Sequence, residues 1–273
     1  MNSSDECPQN FNQKGFDNMD SFIGWIGGKK ALRDVIISNF PAEPPKRYVE
    51  VFGGAGWVLF RKDKVSGQFE VFNDIDSNLI NLYRCIKYHP EALAKELDYI
   101  LTSREIFYDY KNQLRTGRLT DIQRAARYLY LVKISFGCKK ESFSTRPKSV
   151  DSALNKFNEV KDRLSGVIIE NQDFFSLIKA YDSPDTLFYL DPPYYGTEKY
   201  YQGSDGGFDK SSHSRLKECI DNIKGKFLLS YNDNEFIRQL YSGYNIEGLT
   251  RTNTLSTRCD INKNYKEILI KNY

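Results

Sequence analysis

The stretch Arg47-Tyr48-Val49-Glu50-Val51-Phe52-Gly53-Gly54-Ala55-Gly56 decides how the chain is read. Arg47–Phe52 carries the apolar and aromatic residues of a strand, and a glycine turn follows it directly. Glycines there let the backbone turn tightly and come close to a ligand, and a short helix begins at Trp57. Phe69–Asn73 is a second strand, ended by Asp74 about twenty residues after Gly54. An acid at that place accepts hydrogen bonds from ribose hydroxyls. A dinucleotide fingerprint wants a further glycine three residues after Gly56, where this chain has Leu59. No phosphate-cradling Lys-Ser/Thr follows either. The pair of signals predicts an adenosine-containing cofactor without pyrophosphate, which S-adenosylmethionine satisfies. A plain tight strand–helix turn is the competing reading of the glycines taken alone.

Outward from this stretch, a helix runs through Leu79, Leu82 and Ile86. From about 88 to 164 the alternation stops and the pattern is helical. Ile122, Ala125, Ala126 and Leu129 fall at helical spacing, with Arg124 and Arg127 on another face. Strands resume at Val167–Glu170, Thr186–Leu190 and Lys226–Ser230, and Tyr265–Lys271 is the last. Strand–helix alternation predicts an α/β sheet with ligand loops at the carboxyl ends of its strands. The expected organisation is a polar flexible tail over 1–20, a catalytic domain formed by 21–87 and 165–273, and an inserted recognition domain over 88–164. Met19 opens the patterned sequence and is itself a candidate start.

The bulk numbers agree with one sizeable core. The chain has 273 residues, 40% hydrophobic and 27% charged. Aromatic content is 14%, which suits base stacking and core mass equally. The five cysteines are scattered and only His89 and His213 are present, so neither a zinc site nor a disulfide framework is expected. No signal core or membrane-length apolar run is found, and a cytoplasmic, monomeric protein is expected. The net charge of +3 is unevenly placed. Residues 111–148 hold ten Lys or Arg against two acids, leaving 29 basic and 34 acidic residues elsewhere. A basic segment on a mildly acidic body is the footprint of a polyanion-binding surface, although a solvated helix face accounts for part of it.

Two further strand ends carry candidate chemistry. Asn171-Gln172-Asp173-Phe174 follows the third core strand. There Asp173 could accept from an adenine amine while Phe174 packs on its ring; a helix cap and a core residue are the plain alternatives. Thr186–Leu190 ends in Asp191-Pro192-Pro193-Tyr194-Tyr195. Two prolines remove backbone donors and stiffen the loop, so its carbonyls face outward. An exocyclic amine conjugated to a base is a poor nucleophile. Accepting hydrogen bonds from both its hydrogens frees the nitrogen lone pair, and Asp191 with the Pro192 carbonyl supplies such an acceptor pair. Tyr194 can stack on the base. Positioning and preorganised electrostatics then dominate over general-base chemistry at Asp191. A proline turn capping a strand is the competing reading.

With these motifs in order, the chain from Phe22 to Tyr273 resembles the Dam-like (D12 class) DNA adenine-N6 methyltransferases. Trp25-Ile26-Gly27-Gly28-Lys29 is similar to the family's Trp-x-Gly-Gly-Lys motif, which implies that Trp25 and Lys29 line the cofactor pocket. Phe52, Gly54 and Gly56 match its Phe-x-Gly-x-Gly motif, with Val51 where relatives carry Pro. The resemblance implies a ribose-binding Asp74, an adenine-contacting Asp173 and Phe174, and a catalytic Asp191, Pro192, Pro193 and Tyr194, with Asp191 also bordering the cofactor. Leu229-Ser230-Tyr231-Asn232-Asp233 resembles a segment beside the target-base pocket. The implied fold is a seven-stranded, Rossmann-like S-adenosylmethionine-dependent methyltransferase sheet with an inserted helical target-recognition domain.

The implied partner is double-stranded DNA, from which adenine is flipped out at a cost of a few kcal/mol on the order of the stacking and pairing lost. Arg124, Arg127, Lys133, Lys139 and Lys140 would contact phosphates, and Phe136 would wedge into the base stack. Relatives follow that aromatic with Asn-Gly, whereas this chain has Gly137-Cys138, which leaves the target sequence open. Arg251–Lys263 resembles a hairpin near the DNA. The expected activity is site-specific adenine methylation, either orphan or paired with a restriction nuclease on another chain. Methylation of RNA or of a protein amide, and DNA binding without catalysis, are the alternatives; Asp191 rather than Asn argues against an amide substrate.

Overall fold

Strand β1 (Arg47–Glu50) lies at the centre of a seven-stranded sheet in the order β3-β2-β1-β4-β5-β7-β6. The other strands are β2 (Phe69–Asn73), β3 (Ile168–Glu170), β4 (Thr186–Leu190), β5 (Lys226–Asn232), β6 (Asn245–Arg251) and β7 (Tyr265–Lys271). The computed structural model describes residues 19–198, 208–251 and 265–273. Most of the expected N-terminal tail and most of the hairpin expected over Arg251–Lys263 lie outside the described residues, as do Cys7 and Cys259. β3, β2, β1, β4 and β5 run parallel, β7 runs antiparallel to β5, and β6 antiparallel to β7. All five residues of β4 are buried, as a strand covered on both faces requires.

Strand order reverses between β1 and β4. Glu50 pairs in register with Tyr189, so the loops after both strands leave the sheet side by side. In open α/β sheets that reversal opens a crevice where ligands bind. The strand ends differ slightly from expectation: β1 stops at Glu50, and β5 continues to Asn232. The residue pattern predicts no strand over β6. Its apolar alternation is broken by Gly248 and residues 245–249 are half-exposed or exposed, so it forms by adding to the edge of β7.

The helical segment comprises α4 (Pro90–Leu97), α5 (Arg104–Thr116), α6 (Asp121–Ile134), α7 (Asp151–Leu154) and α8 (Phe157–Arg163), preceded by α3 (Ser77–Tyr88). A capping box at Thr120 and Gln123 starts α6, satisfying backbone donors that would otherwise lack partners. These helices share one apolar core with a face of the sheet: Leu93, Phe107, Leu129 and Val160 join Tyr48, Leu187, Tyr189 and Leu269. The insertion is therefore packed onto the sheet. Arg163 fixes its far end, donating from Nη1 to Glu70 Oε2 at 2.7 Å and from Nη2 to Glu70 Oε1 at 2.9 Å. Among the described residues no helix is long and apolar enough to cross a membrane.

Candidate active site at the strand carboxyl ends

The glycine turn is held by geometry that other residues resist. Gly54 and Gly56 have φ of 50° and 67°, in the left-handed region. A Cβ on Gly54 would stand 2.8 Å from Trp25 Nε1, so the turn also lies against the N-terminal motif. Asp74 follows β2, accepting from Gly54 N at 2.8 Å and from Asp76 N at 2.9 Å. Burial pushes its carboxyl up to about 6, against the pull of those two backbone donors. Asn73 ties the neighbouring loops, donating to Val51 O and Gln172 O and accepting from Gln172 N. No sequence spacing points to this role, because it depends on three strand ends meeting.

Asp191 sits one loop away. Lys29 Nζ approaches its Oδ1 at 2.7 Å, and Ser230 Oγ donates to the same oxygen at 2.8 Å. Both contacts fall on Oδ1, and the Asp191 side chain keeps 18% of its surface exposed. Burial pushes the Asp191 carboxyl above the ordinary carboxylate range; Lys29 and Ser230 oppose this, and the charge of Glu267 reinforces it. Tyr194 donates its hydroxyl to Glu267 Oε2 at 2.5 Å, and Lys29 Nζ stands 4.6 Å from its ring centre. Glu50, at the end of β1, is buried and accepts from Tyr48; burial pushes it up to about 8. The resemblance implies Lys29 in the cofactor pocket; its side chain reaches Asp191, which the same resemblance sets at the border of the cofactor. Ser230 lies within the segment read as neighbouring the base pocket and Glu50 opens the glycine-turn motif without an assigned role, whereas Glu267 carries no sequence signal. His213, considered only as a metal ligand from sequence, is buried between Tyr231 (2.6 Å) and Glu198 (3.2 Å). It braces the segment just after Tyr194.

Asp173 caps α9 (Phe174–Tyr181), accepting from Phe175 N at 2.8 Å and Ser176 N at 3.2 Å. Phe174 is buried against Phe52 and Phe208, with ring centres 5.9 and 6.0 Å away.

The candidate DNA residues are not all together. Phe136, 65% exposed, projects from a loop closed by a Ser135–Phe143 bridge. Gly137, Cys138 and Lys140 all have φ near 60°. Cys138 Sγ lies so near Gly24 that a Cβ there would meet it at 2.5 Å, which presses this loop onto the Trp25 segment. Lys140 turns inward: its Nζ reaches Asp76 Oδ2 at 3.2 Å and Tyr128 Oη at 2.9 Å, 5.1 Å from the Trp25 ring centre. Arg127 is held within the helical segment by Glu96, Gln113 and the Tyr110 ring. Lys133 donates to Ser152 and Arg124 pairs with Asp121. Composition could count these cations but not orient them. Among the described residues no group of three His, Cys, Asp or Glu could hold a metal ion.

Residues 25–255 match the family described as D12 class N6 adenine-specific DNA methyltransferase. The type II methyltransferase M1.LlaDCHI of Lactococcus lactis subsp. cremoris is 29% identical, the match covering 97% of this chain and 99% of the relative. Type II methyltransferase M.MjaIII of Methanocaldococcus jannaschii is 25% identical, over 92% and 98%. A DNA adenine methylase of Vibrio cholerae is 25% identical, over 86% and 90%.

Proposed function

The chain belongs to the D12 class of N6 adenine-specific DNA methyltransferases, and from that premise we propose that it methylates N6 of a flipped-out adenine in double-stranded DNA, using S-adenosylmethionine. The observation that carries this reading is Asp191: its Oδ1 is bound by Lys29 and Ser230, and its side chain still borders the crevice. Oδ2, with no partner among the described residues, and the Pro192 carbonyl accept the two amine hydrogens. Tyr194 stacks on the base. After transfer the amine nitrogen holds one methyl and loses one proton, which passes to solvent or to Asp191.

The glycine cradle fits a nucleoside cofactor. A side chain at Gly54 would fill it against Trp25, and each Asp74 oxygen, anchored by one backbone donor, retains a lone pair for a ribose hydroxyl. When bound, the cofactor supplies an electrophilic methyl group on a sulfonium. Trp25, Phe52 and Asp74 would hold it, with Gly54 and Gly56 making room. Asp173 and Phe174 would border its adenine from the start of α9. Residues 88–164 serve as the recognition module, with Phe136 as wedge. The test is distribution of labelled methyl groups among DNA, RNA and protein offered together. Label in DNA supports the reading, and label in RNA or protein alone refutes it.

Four expected outcomes concern residues of the site and of the basic segment. Asp74 must be ionised to accept, and its carboxyl titrates at about 6. Cofactor affinity measured by calorimetry is expected to hold above that pH and to fall below it, approaching tenfold per pH unit. Flat affinity from pH 5 to 8 would remove Asp74 from the ribose site. Lys29→Met removes the cation that opposes burial at Asp191, leaving Glu50, Glu267, Tyr189 and Tyr194 around it. The Asp191 carboxyl then rises further, so the acid limb of kcat/KM moves to higher pH and activity at neutral pH drops. An unmoved limb would mean that Lys29 does not act through Asp191. Lys139→Ala is expected to weaken DNA binding for all sequences and lower the salt slope by about one. Lys140→Ala should instead alter cofactor affinity, through Asp76.

A further inference from the structure

Glu267 lies on β7, in register opposite Asn232 of β5 and Leu249 of β6, and only 4% of it is exposed. The residues that follow, Ile268, Leu269 and Ile270, are wholly apolar and buried. Nothing in the sheet ladder calls for a carboxylate there, and an unpaired buried acid is strongly unfavourable. Two of its partners are Tyr194 of the Asp-Pro-Pro-Tyr loop and Lys29 beside it. Tyr194 donates its hydroxyl to Oε2 at 2.5 Å, and Lys29 Nζ stands 3.8 Å from the same oxygen. Lys29 meanwhile contacts Asp191 at 2.7 Å, donates to Gly27 O at 3.1 Å and covers the Tyr194 ring. The ring is thus gripped at its hydroxyl by Glu267 and on its face by Lys29.

Resting on the function proposed above, we propose that Glu267 is a positioning residue for methyl transfer, fixing the Tyr194 ring as a stacking platform and giving Lys29 a second anion. Lys29 has two carboxylates within reach, one at salt-bridge distance and one about an ångström farther. When an amine donates to Asp191, the Lys29 cation can share its charge with Glu267 and stay in place. Glu267 touches no reacting atom. It acts through Tyr194 and Lys29.

The test compares Glu267→Gln, Tyr194→Phe and the double variant in the full chain. Single-turnover methyl transfer to DNA and calorimetric affinity for S-adenosylmethionine are measured separately. Each single change is expected to slow transfer between about ten- and a hundredfold, since a misplaced platform spoils alignment. Cofactor affinity should stay within about twofold, and the double variant should be no slower than the slower single one. In protein labelled with ¹³C at the tyrosine ζ carbon, Glu267→Gln should shift the Tyr194 resonance more than any other, with Tyr194→Phe assigning it. Tyr194→Phe deletes one oxygen, and keeps the test open where Glu267→Gln does not fold. Wild-type transfer rates in Glu267→Gln, multiplicative losses in the double variant or an unmoved Tyr194 resonance would each overturn the proposal. An inactive wild type would instead refute the reading on which it rests.

Discussion

Asp191→Ala is expected to reduce methyl transfer by about a thousandfold or more while changing S-adenosylmethionine affinity only a few-fold. The amine of a base holds its lone pair in the ring, and two acceptors in fixed positions are needed to release it. Alanine removes one acceptor and leaves the Pro192 carbonyl alone. It also strands Lys29, whose closest carboxylate is Asp191 Oδ1 at 2.7 Å, with Glu267 the next at 3.8 Å. Asp191→Asn separates these effects. The amide keeps the shape and one acceptor, but it loses the charge that Lys29 neutralises, and Ser230 and Lys29 both donate to the same position. The amide oxygen is drawn to those donors, which turns the amide NH2 towards the incoming amine. Its loss of rate should approach that of alanine. A rate within tenfold of wild type for both variants would mean that Asp191 does not hold the amine.

Arg163→Met is expected to cost about 3–5 kcal/mol of stability, the magnitude for breaking one side of a buried pair. Arg163 is 1% exposed and Glu70 5%, and their bond is bidentate. Arg163 Nη2 also donates to Leu59 O at 2.7 Å, so α8, β2 and α2 (Trp57–Arg61) meet at one guanidinium. Lys62 Nζ, 2.8 Å from Glu70 Oε1, is the only other cation paired with it among the described residues. Burial alone would push the Glu70 carboxyl up; Arg163 and Lys62 outweigh it and hold the carboxyl below its ordinary value. A depressed carboxylate contributes its stability fully above the unfolded value and loses it as pH falls through the folded one. The gap between wild type and Arg163→Met should therefore be widest near neutral pH and narrow in acid. Urea unfolding at several pH values measures it, and a loss below about 1 kcal/mol at pH 7 would show that the pair is not structural.

Local signals were legible in the chain. The strand, glycine turn and Asp74 stand within thirty residues of one another, and their chemistry depends on that spacing. The strand β4 was legible as an almost wholly apolar run, and β7 from the apolar stretch Ile268-Leu269-Ile270. What needed coordinates were pairings between distant positions. Lys29 and Asp191 are joined only because the segment before α1 (Arg33–Ser38) crosses the end of β4. Glu267 reaches the site through the register of an antiparallel strand added at the sheet's far side, and no spacing in sequence encodes that register. Asp173 presented two readings, and its hydrogen bonds here are those of a helix cap. Lys140 shows the limit of counting charge: it belongs to the basic segment by composition and to Asp76 and Trp25 by position.

The inward turn of Lys140 also relates the two halves of the proposed reaction. Asp76 caps α3, accepting from Asn78 N and Leu79 N, and accepts from Tyr128 of α6 at 2.6 Å. It follows Asp74, the proposed ribose acceptor, by two residues. The loop carrying Phe136 is therefore linked to the cofactor loop through Lys140, Asp76 and Tyr128. In the proposed function, engagement of DNA at Phe136 and occupancy of the cofactor site would act on one connected set of side chains.

The central claim is that the acceptor pair at Asp191 and Pro192 serves an adenine amine. Identification of the methylated atom tests it most directly. Unmethylated genomic DNA is incubated with the protein and S-adenosylmethionine, digested to nucleosides and analysed by mass spectrometry. The account predicts N6-methyldeoxyadenosine as the product, absent when Asp191→Ala replaces the wild type. Methylcytosine as the product, or N6-methyldeoxyadenosine formed equally well by Asp191→Ala, would contradict it.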